Sequence, residues 1–309
     1  MIISNDVNQV YLKILELIST EGKIKGKRRE TIFLTFTLFD VNKNVLFFPF
    51  AQRNWPWILR EASDRIFNVK NPGLSYKYSK NWENRIEPSG LYSYHYANRL
   101  DKQMDEVLSK KIHSRDKIIS VWEKSDYNLE GRQPCTIIMQ PIMEDDNKMS
   151  LVVYMRNNDV INILPSDIFI HSTYFKYWAT KKGIEYKNLY WVAGVAYYQK
   201  KRDVLEFPQR LIRDWKDDYT KITPTRWNQE IISDLESKEN IESNFINLDA
   251  SLNSISNLKT DYVKEWTKIM LLHKLKREKN SILRDILSED WKTEFKIIRD
   301  SLFSKIGYD

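Results

Sequence analysis

Four apolar segments, rich in β-branched and aromatic residues, constrain the fold most. They are Thr31 to Phe39 (TIFLTFTLF), Pro134 to Ile142, Ser150 to Met155 (SLVVYM) and Leu189 to Tyr198 (LYWVAGVAYY). Such runs read as strands, and Lys117 to Trp122 (KIISVW) reads as a fifth. The second and third are joined by the acidic turn Glu144-Asp145-Asp146-Asn147, so they pair antiparallel. Helical patterns fall between the strands. The expected class is α+β, built on a mixed, largely antiparallel sheet with packed helices. The chain has 309 residues, 42% apolar and 29% charged, so it can bury a sizeable core and is not globally disordered.

Val7 to Glu21 carries apolar residues at helical spacing and is stopped by Gly22. Trp55 to Phe67, Asp101 to Lys111 and Ser166 to Thr180 also read as helices, the last with Ser166 as N-cap. The basic stretch Lys23 to Arg29 reads as a solvated loop. Asn42-Lys43-Asn44 reads as a turn, and Val45 to Phe50 as a strand. Asn68 to Ser89, with Pro72-Gly73 and Pro88, reads as loop-rich, and Val160 to Leu164 as short and extended. Residues 232–258 are polar and rich in Asn, Ser and acidic groups, which predicts a linker or irregular loop. Asp261 to Lys279 and Asp290 to Lys305 follow as amphipathic helices, the second with Ser288 as N-cap and Gly307 at its end. Their apolar stripes read as core packing. The expected division is a catalytic domain over residues 1–231 and a C-terminal helical extension over 232–309.

Cys135 is the only cysteine, which excludes internal disulfides and multi-cysteine zinc sites. His95, His113, His171 and His273 lack metal-ligand spacing, so a metalloenzyme is not expected and no metal ligand is assigned, with carboxylate-bound magnesium the alternative that the histidines do not address. A net charge of +7 and a pI near 9.1 suit an anionic partner. No apolar run approaches the roughly 20 residues of a membrane span, and the N-terminus lacks a signal-peptide pattern. A cytoplasmic location without membrane contact is expected.

A lone cysteine is usually a small buried hydrophobe. Cys135, however, opens a strand in Gln133-Pro134-Cys135-Thr136. Met155-Arg156-Asn157-Asn158-Asp159-Val160 follows about twenty residues later, then Pro165-Ser166-Asp167. This constellation resembles the thymidylate synthase superfamily, in co-linear order over roughly residues 7–230. QPCT (133–136) is similar to the nucleophile strand, and MRNNDVINILPSD (155–167) to the motif that binds phosphate, cofactor and base. SRDKIISVWEKSD (114–126) resembles the segment that lends phosphate-binding arginines to a neighbouring subunit. YWVAGVAYYQ (190–199) resembles the sugar-contacting strand, GLYSYHY (90–96) the tyrosine-bearing segment, and LRE (59–61) the helix of the catalytic glutamate.

The resemblance implies a thymidylate synthase-like fold and a homodimer. It implies a pyrimidine nucleotide substrate and 5,10-methylenetetrahydrofolate, or a related pterin, as one-carbon donor. Cys135 is the implied nucleophile at pyrimidine C6. Glu61 and Tyr92 assist at the base, and Asp159 contacts the pterin. Arg156, Asn157, Tyr198 and Arg115 bind the nucleotide, Arg115 from the partner. Thymidylate synthases place Asn where this chain has Asp167, whereas the phage deoxycytidylate hydroxymethylases place Asp. An ionised carboxylate only accepts hydrogen bonds, which suits the exocyclic amine of cytosine and repels O4 of uracil. Thr136 also matches the hydroxymethylases, since the synthases usually have His there. The expected activity is folate-dependent 5-hydroxymethylation of CMP or dCMP.

Several positions depart from the family pattern. Asp116 stands where a second arginine is usual, Asn157 where the synthases have Ser, and Ala196 where they have a sugar-contacting His. The loop at residues 25–29 lacks the synthase RTG pattern. Two alternatives stay open. One is a thymidylate synthase or dUMP hydroxymethylase. The other is a weakly catalytic nucleotide- or nucleic-acid-binding protein, which intact Cys135 and Glu61 disfavour.

Overall fold

The computed structural model describes residues 1–46, 54–100, 102–111, 114–129, 133–199, 223–243, 245, 247–278, 282–296, 298 and 299. In chain order the elements are β1 (Ile2–Ser4), α1 (Val7–Glu21), β2 (Lys23–Lys25), β3 (Arg28–Leu38), α2 (Trp55–Ile66), α3 (Lys80–Glu83), α4 (Tyr96–Leu100), α5 (Gln103–Ser109), β4 (Ile119–Ser120), β5 (Thr136–Met143), β6 (Lys148–Asp159), α6 (Leu164–Lys181) and β7 (Glu185–Gln199). Then come α7 (Gln229–Ser243), α8 (Leu248–Ser256), α9 (Asp261–Glu278) and α10 (Ile282–Ser288).

The expected α+β class holds. The strands form one mixed sheet in the order β1-β3-β7-β6-β5-β4, with β2 as a hairpin partner of β3. β3 and β7 pair antiparallel, as do β6 and β5, while β6 and β7 run parallel. That parallel pair needs a crossover, and α6 supplies it. One sheet face buries Leu34, Phe36, Leu151, Val153, Leu189 and Trp191, with Trp191 stacked on Phe36 at 5.7 Å. Burying each such side chain contributes roughly 1.5–3 kcal/mol. A register shift in β5 between Thr136 and Ile138 puts an irregularity directly after Cys135. Such irregularities bend a strand and re-aim its side chains.

Helix α1 begins at the Asp6 cap, whose carboxylate accepts from the Asn8 amide. It ends at Gly22, as its apolar spacing predicts. Helix α2 is capped by Asn54 and carries Pro56 in its first turn. Every residue of α2 is buried, including Arg60, Glu61, Ser63, Asp64 and Arg65. Polar groups buried on all sides must satisfy one another, and this condition shapes the site below.

Several expectations are corrected. Lys23 to Arg29 is not a loop but a β-hairpin turning at Gly26, which adopts φ +56°. Val45 and Leu46 are not in a strand, and residues 47–50 lie outside the described residues. Residues 160–163 form a turn rather than an extended stretch. Ile163 is the cap position of α6, so Ser166 sits inside the first turn. Residues 232–258 are largely helical. The buried face of α7 includes Asp234 and Lys238 beside Ile231, Ile232 and Leu235, which dilutes the apolar period. Ser288 closes a helix instead of capping one, and residues 289–294 are not helical. There the Glu265 carboxylate accepts the backbone amides of Lys292 and Thr293 and interrupts the expected run. Leu302, Phe303 and Gly307 lie outside the described residues.

Candidate active site

Helix α2 brings Glu61 to the site with both carboxylate oxygens held. Arg65, one turn on, donates Nε to Oε1 at 3.0 Å, and Ser75 Oγ donates to Oε2 at 2.9 Å. Ser75 is fixed in turn by Asp64, whose Oδ2 accepts the amides of Leu74 and Ser75, each at 2.9 Å. That turn needs Gly73 at φ +74°, because a Cβ there would meet Asp64 Oδ2 at 2.6 Å. The Arg65 guanidinium lies 4.2 Å from the centre of the Tyr96 ring, a cation–π contact.

Tyr96 links this group to the cysteine. Its hydroxyl accepts the Cys135 amide at 3.0 Å and the Thr136 amide at 3.4 Å. Burial, then Tyr94 and Cys135 nearby, raise the Tyr96 phenol above its ordinary range. It therefore stays protonated with its own O–H left to donate. Cys135 is half-buried. Its carbonyl accepts the Arg156 amide at 2.7 Å, which ties the cysteine to β6. The exposed Arg156 guanidinium reaches back to the Gln133 carbonyl at 3.5 Å, beside the cysteine segment. A cation there favours the thiolate.

Asp167 sits in the first turn of α6 and is only 8% exposed. Burial pushes its carboxyl up to about 7, against Arg65; Glu61 adds to the rise and Asn158 opposes it. Asn158 Nδ2 donates to Asp167 Oδ2 at 3.1 Å, while Asn158 Oδ1 accepts the Trp191 indole at 2.8 Å. One turn along α6, His171 bonds the Asp167 carbonyl through Nδ1 at 2.8 Å and Thr136 Oγ1 through Nε2 at 3.1 Å. A carbonyl can only accept, so Nδ1 carries the proton and Thr136 donates to Nε2. Burial, aided by Arg65, lowers His171 to about 3, so the ring is neutral. The residue after the cysteine is thereby pinned to the helix that carries Asp167.

A cysteine, a tethered glutamate, a protonated phenol and a proton-retaining aspartate thus share one connected network. The thymidylate synthase family model matches residues 41–239, most of the chain. The chain belongs to the thymidylate synthase family. A thymidylate synthase of Corynebacterium aurimucosum is 24% identical over 208 residues, 60% of this chain and 75% of that protein. A thymidylate synthase of Mycoplasma genitalium is 28% identical over 112 residues, 36% of this chain and 35% of that protein. The family transfers one-carbon units to pyrimidine nucleotides with methylenetetrahydrofolate as donor. Helices α8, α9 and α10 lie beyond the matched residues.

Not every residue expected at the site joins this network. Tyr92 is buried, but its hydroxyl donates to the Trp82 carbonyl at 3.1 Å and its backbone is bracketed by Asn71. Tyr96, not Tyr92, touches the Cys135 amide. Asp159 caps the turn after β6: Oδ1 accepts the amides of Ile161 and Asn162, and Oδ2 accepts Asn162 Nδ2. Asn157 is half-buried opposite Val195. Tyr198 is buried on β7, one residue beyond the partner of Asp159. Arg115 is exposed before β4, with no ion pair among the described residues.

Sequence reasoning missed Arg65, Ser75, Asn158 and His171. Two carried a signal: Arg65 follows Glu61, and His171 follows Asp167, by four residues on a helix. Ser75 carried none, because it reaches Glu61 from a separate loop.

Proposed function

We propose that the protein is a folate-dependent 5-hydroxymethyltransferase acting on a cytidine nucleotide, CMP or dCMP. The observation that carries this reading is the buried Asp167 carboxyl, bonded by Asn158 at 3.1 Å and pushed by burial up to about 7, so it can hold a proton and is not the purely ionised acceptor expected from the sequence. A carboxyl holding one proton donates to N3 of cytosine while its other oxygen accepts from the N4 amine. Uracil offers O4 in place of N3 as the proton acceptor, and O4 is far less basic. The proton is better shared in the cytosine complex.

Cys135 is the nucleophile. Its sulfur lone pair forms the bond to C6, and the C5=C6 π pair moves to C5, which becomes nucleophilic. Arg156 supplies positive field at the thiolate and a donor fork for phosphate. Glu61, immobilised by Arg65 and Ser75, holds water and moves protons at the base, and the Tyr96 hydroxyl donates toward the reacting ring. Methylenetetrahydrofolate, when bound, supplies the one-carbon unit. Asp159 is the residue to hold its pterin. Its three accepted bonds leave about one of four lone-pair sites, and its half-exposed position suits a single pterin N–H.

The reading extends to a homodimer. Opposite the core, the sheet presents half-buried Ile138, Tyr154 and Val192 and exposed Ile142, a surface suited to a second copy. Exposed Arg115 would then serve the partner's phosphate. Sedimentation at micromolar concentration should give twice the chain mass. A monomer at all concentrations would remove this part.

Asp167→Asn tests the base assignment. An amide accepts N3–H and donates to O4, so the variant should turn its preference toward uridylates. Its stability should change with pH as well. The Asp167 carboxyl is raised from 3.8, so its stability contribution is intact below about pH 4 and lost as pH rises through 7. The Asn variant should therefore match wild type in melting temperature at pH 4 and exceed it at pH 8. An unchanged nucleotide preference would refute the role given to Asp167.

A further inference from the structure

Asn158 and Trp191 belong to no role assigned so far, yet both are buried, with 1% exposure each. An indole N–H only donates, so the 2.8 Å contact forces Oδ1 of Asn158 toward Trp191. The amide cannot flip without facing that N–H with its own NH2. Nδ2 must therefore point at Asp167 Oδ2. Trp191 is itself fixed, stacked on Phe36 and met edge-on by His171 at 5.5 Å. The orientation of the amide thus follows from the packed core.

Consequences follow for the two oxygens of Asp167. Oδ2 receives an N–H and cannot carry the proton on that side. The carbonyl oxygen of a protonated carboxyl accepts an N–H better than its hydroxyl oxygen does, so the proton favours Oδ1. We propose that Asn158, locked by Trp191, is a positioning residue for base specificity: it makes Oδ2 of Asp167 the accepting oxygen and leaves Oδ1 to present the proton to the pyrimidine. Among the described residues, the other charged or titratable groups around this carboxyl are Arg65 and Glu61 from α2, Tyr96 from α4 and His171 from α6; the Tyr96 hydroxyl accepts the Cys135 and Thr136 amides. Neutral His171 bonds the Asp167 carbonyl, not its carboxyl, and the side-chain bonds of Glu61 run to Arg65 and Ser75. Among the described residues, Asn158 is thus the group that distinguishes one oxygen from the other by a direct hydrogen bond. The inference rests on the cytidylate reading.

The test uses the full chain, Asn158→Leu and Trp191→Phe. Leu keeps the branched shape at a larger volume and removes the N–H, while Phe keeps a ring and releases the amide. In both, the ratio of kcat/KM for cytidylate over uridylate should fall about tenfold or more, mainly through KM, as expected when one hydrogen bond to a charged or proton-sharing group is lost. In Asn158→Leu the carboxyl 13C titration of Asp167, read without nucleotide, should move to higher pH, because a donor to the ionised form has gone. A purely structural role would lower the yield of folded enzyme and leave ratio and titration in place. Folded variants with unchanged ratio and titration, beside a wild type that prefers cytidylates, would overturn the inference alone. A wild type without that preference would overturn the cytidylate reading and the inference with it.

Discussion

Cys135→Ala is expected to bind its nucleotide and to release no tritium from pyrimidine C5. The C5 hydrogen becomes labile only after a nucleophile adds to C6, so loss of the thiol removes the step rather than slowing it. The expected fall in tritium release is at least about 10^4-fold, in line with removal of a nucleophile from a cooperating set. Binding should survive, because Cys135 makes its backbone bonds to Tyr96 and Arg156, and alanine keeps both. On the proposed reading, base recognition belongs to Asp167 on another element. Release above about 1% of wild type would require a different nucleophile, and none stands elsewhere in this chain as a thiol.

Arg60→Met is expected to destabilise the fold by about 3–5 kcal/mol, the usual cost of removing one partner from a buried ion pair. Arg60 is 1% exposed and bonds three carboxylates: Asp64 at 2.9 Å, Glu239 at 2.7 Å and Glu242 at 2.6 Å. Buried Lys238 joins the group, 2.5 Å from Glu242 and 3.1 Å from Ser63 Oγ. Without Arg60, three acids share one cation. The deficit should shrink as pH falls toward 5, because the stranded carboxylates take up protons. Burial works against ionisation of Glu239, yet Lys238 and Arg60 hold it below the ordinary range, so its stability contribution is present at neutral pH and lost in acid. Chemical denaturation at pH 8 and pH 5 reads both effects. A loss below about 1 kcal/mol at pH 8 would show that α7 is held to α2 by packing alone.

That ionic group also explains what the sequence concealed. Helix α1 was legible because Val10, Ile14, Leu15 and Ile18 keep helical spacing and Gly22 stops it. The strands were legible because β-branched and aromatic residues fill a sheet with one largely buried face. Helix α7 was not, since its inner face mixes Lys238 and Asp234 with Ile231 and Leu235 and so resembles solvated chain. The residue pairs that explain it, Arg60 with Glu239 and Glu242, lie far apart in sequence and at no fixed period. The same limit applies to the tyrosines. Tyr92, Tyr94 and Tyr96 alternate in one short stretch, and no local pattern says which hydroxyl meets the cysteine. Helix α4 starts at Tyr96 and settles it. The order of Cys135, Arg156 and Asp167 in the candidate site was readable from spacing and family resemblance, and the fold brings Cys135 and Asp167 together through Thr136 and His171. The hydrogen bonds that tune Asp167 come from β6 and β7 and needed the fold.

The most direct measurement supplies purified protein with methylenetetrahydrofolate and, separately, CMP, dCMP, UMP and dUMP. Product mass and tritium loss from C5 are followed beside the Cys135→Ala control. The expected result is a 5-hydroxymethyl product from CMP or dCMP, absent in the control. Methylation of dUMP, with the cytidylates inert, would contradict the account, because Asp167 could not then be reading cytosine.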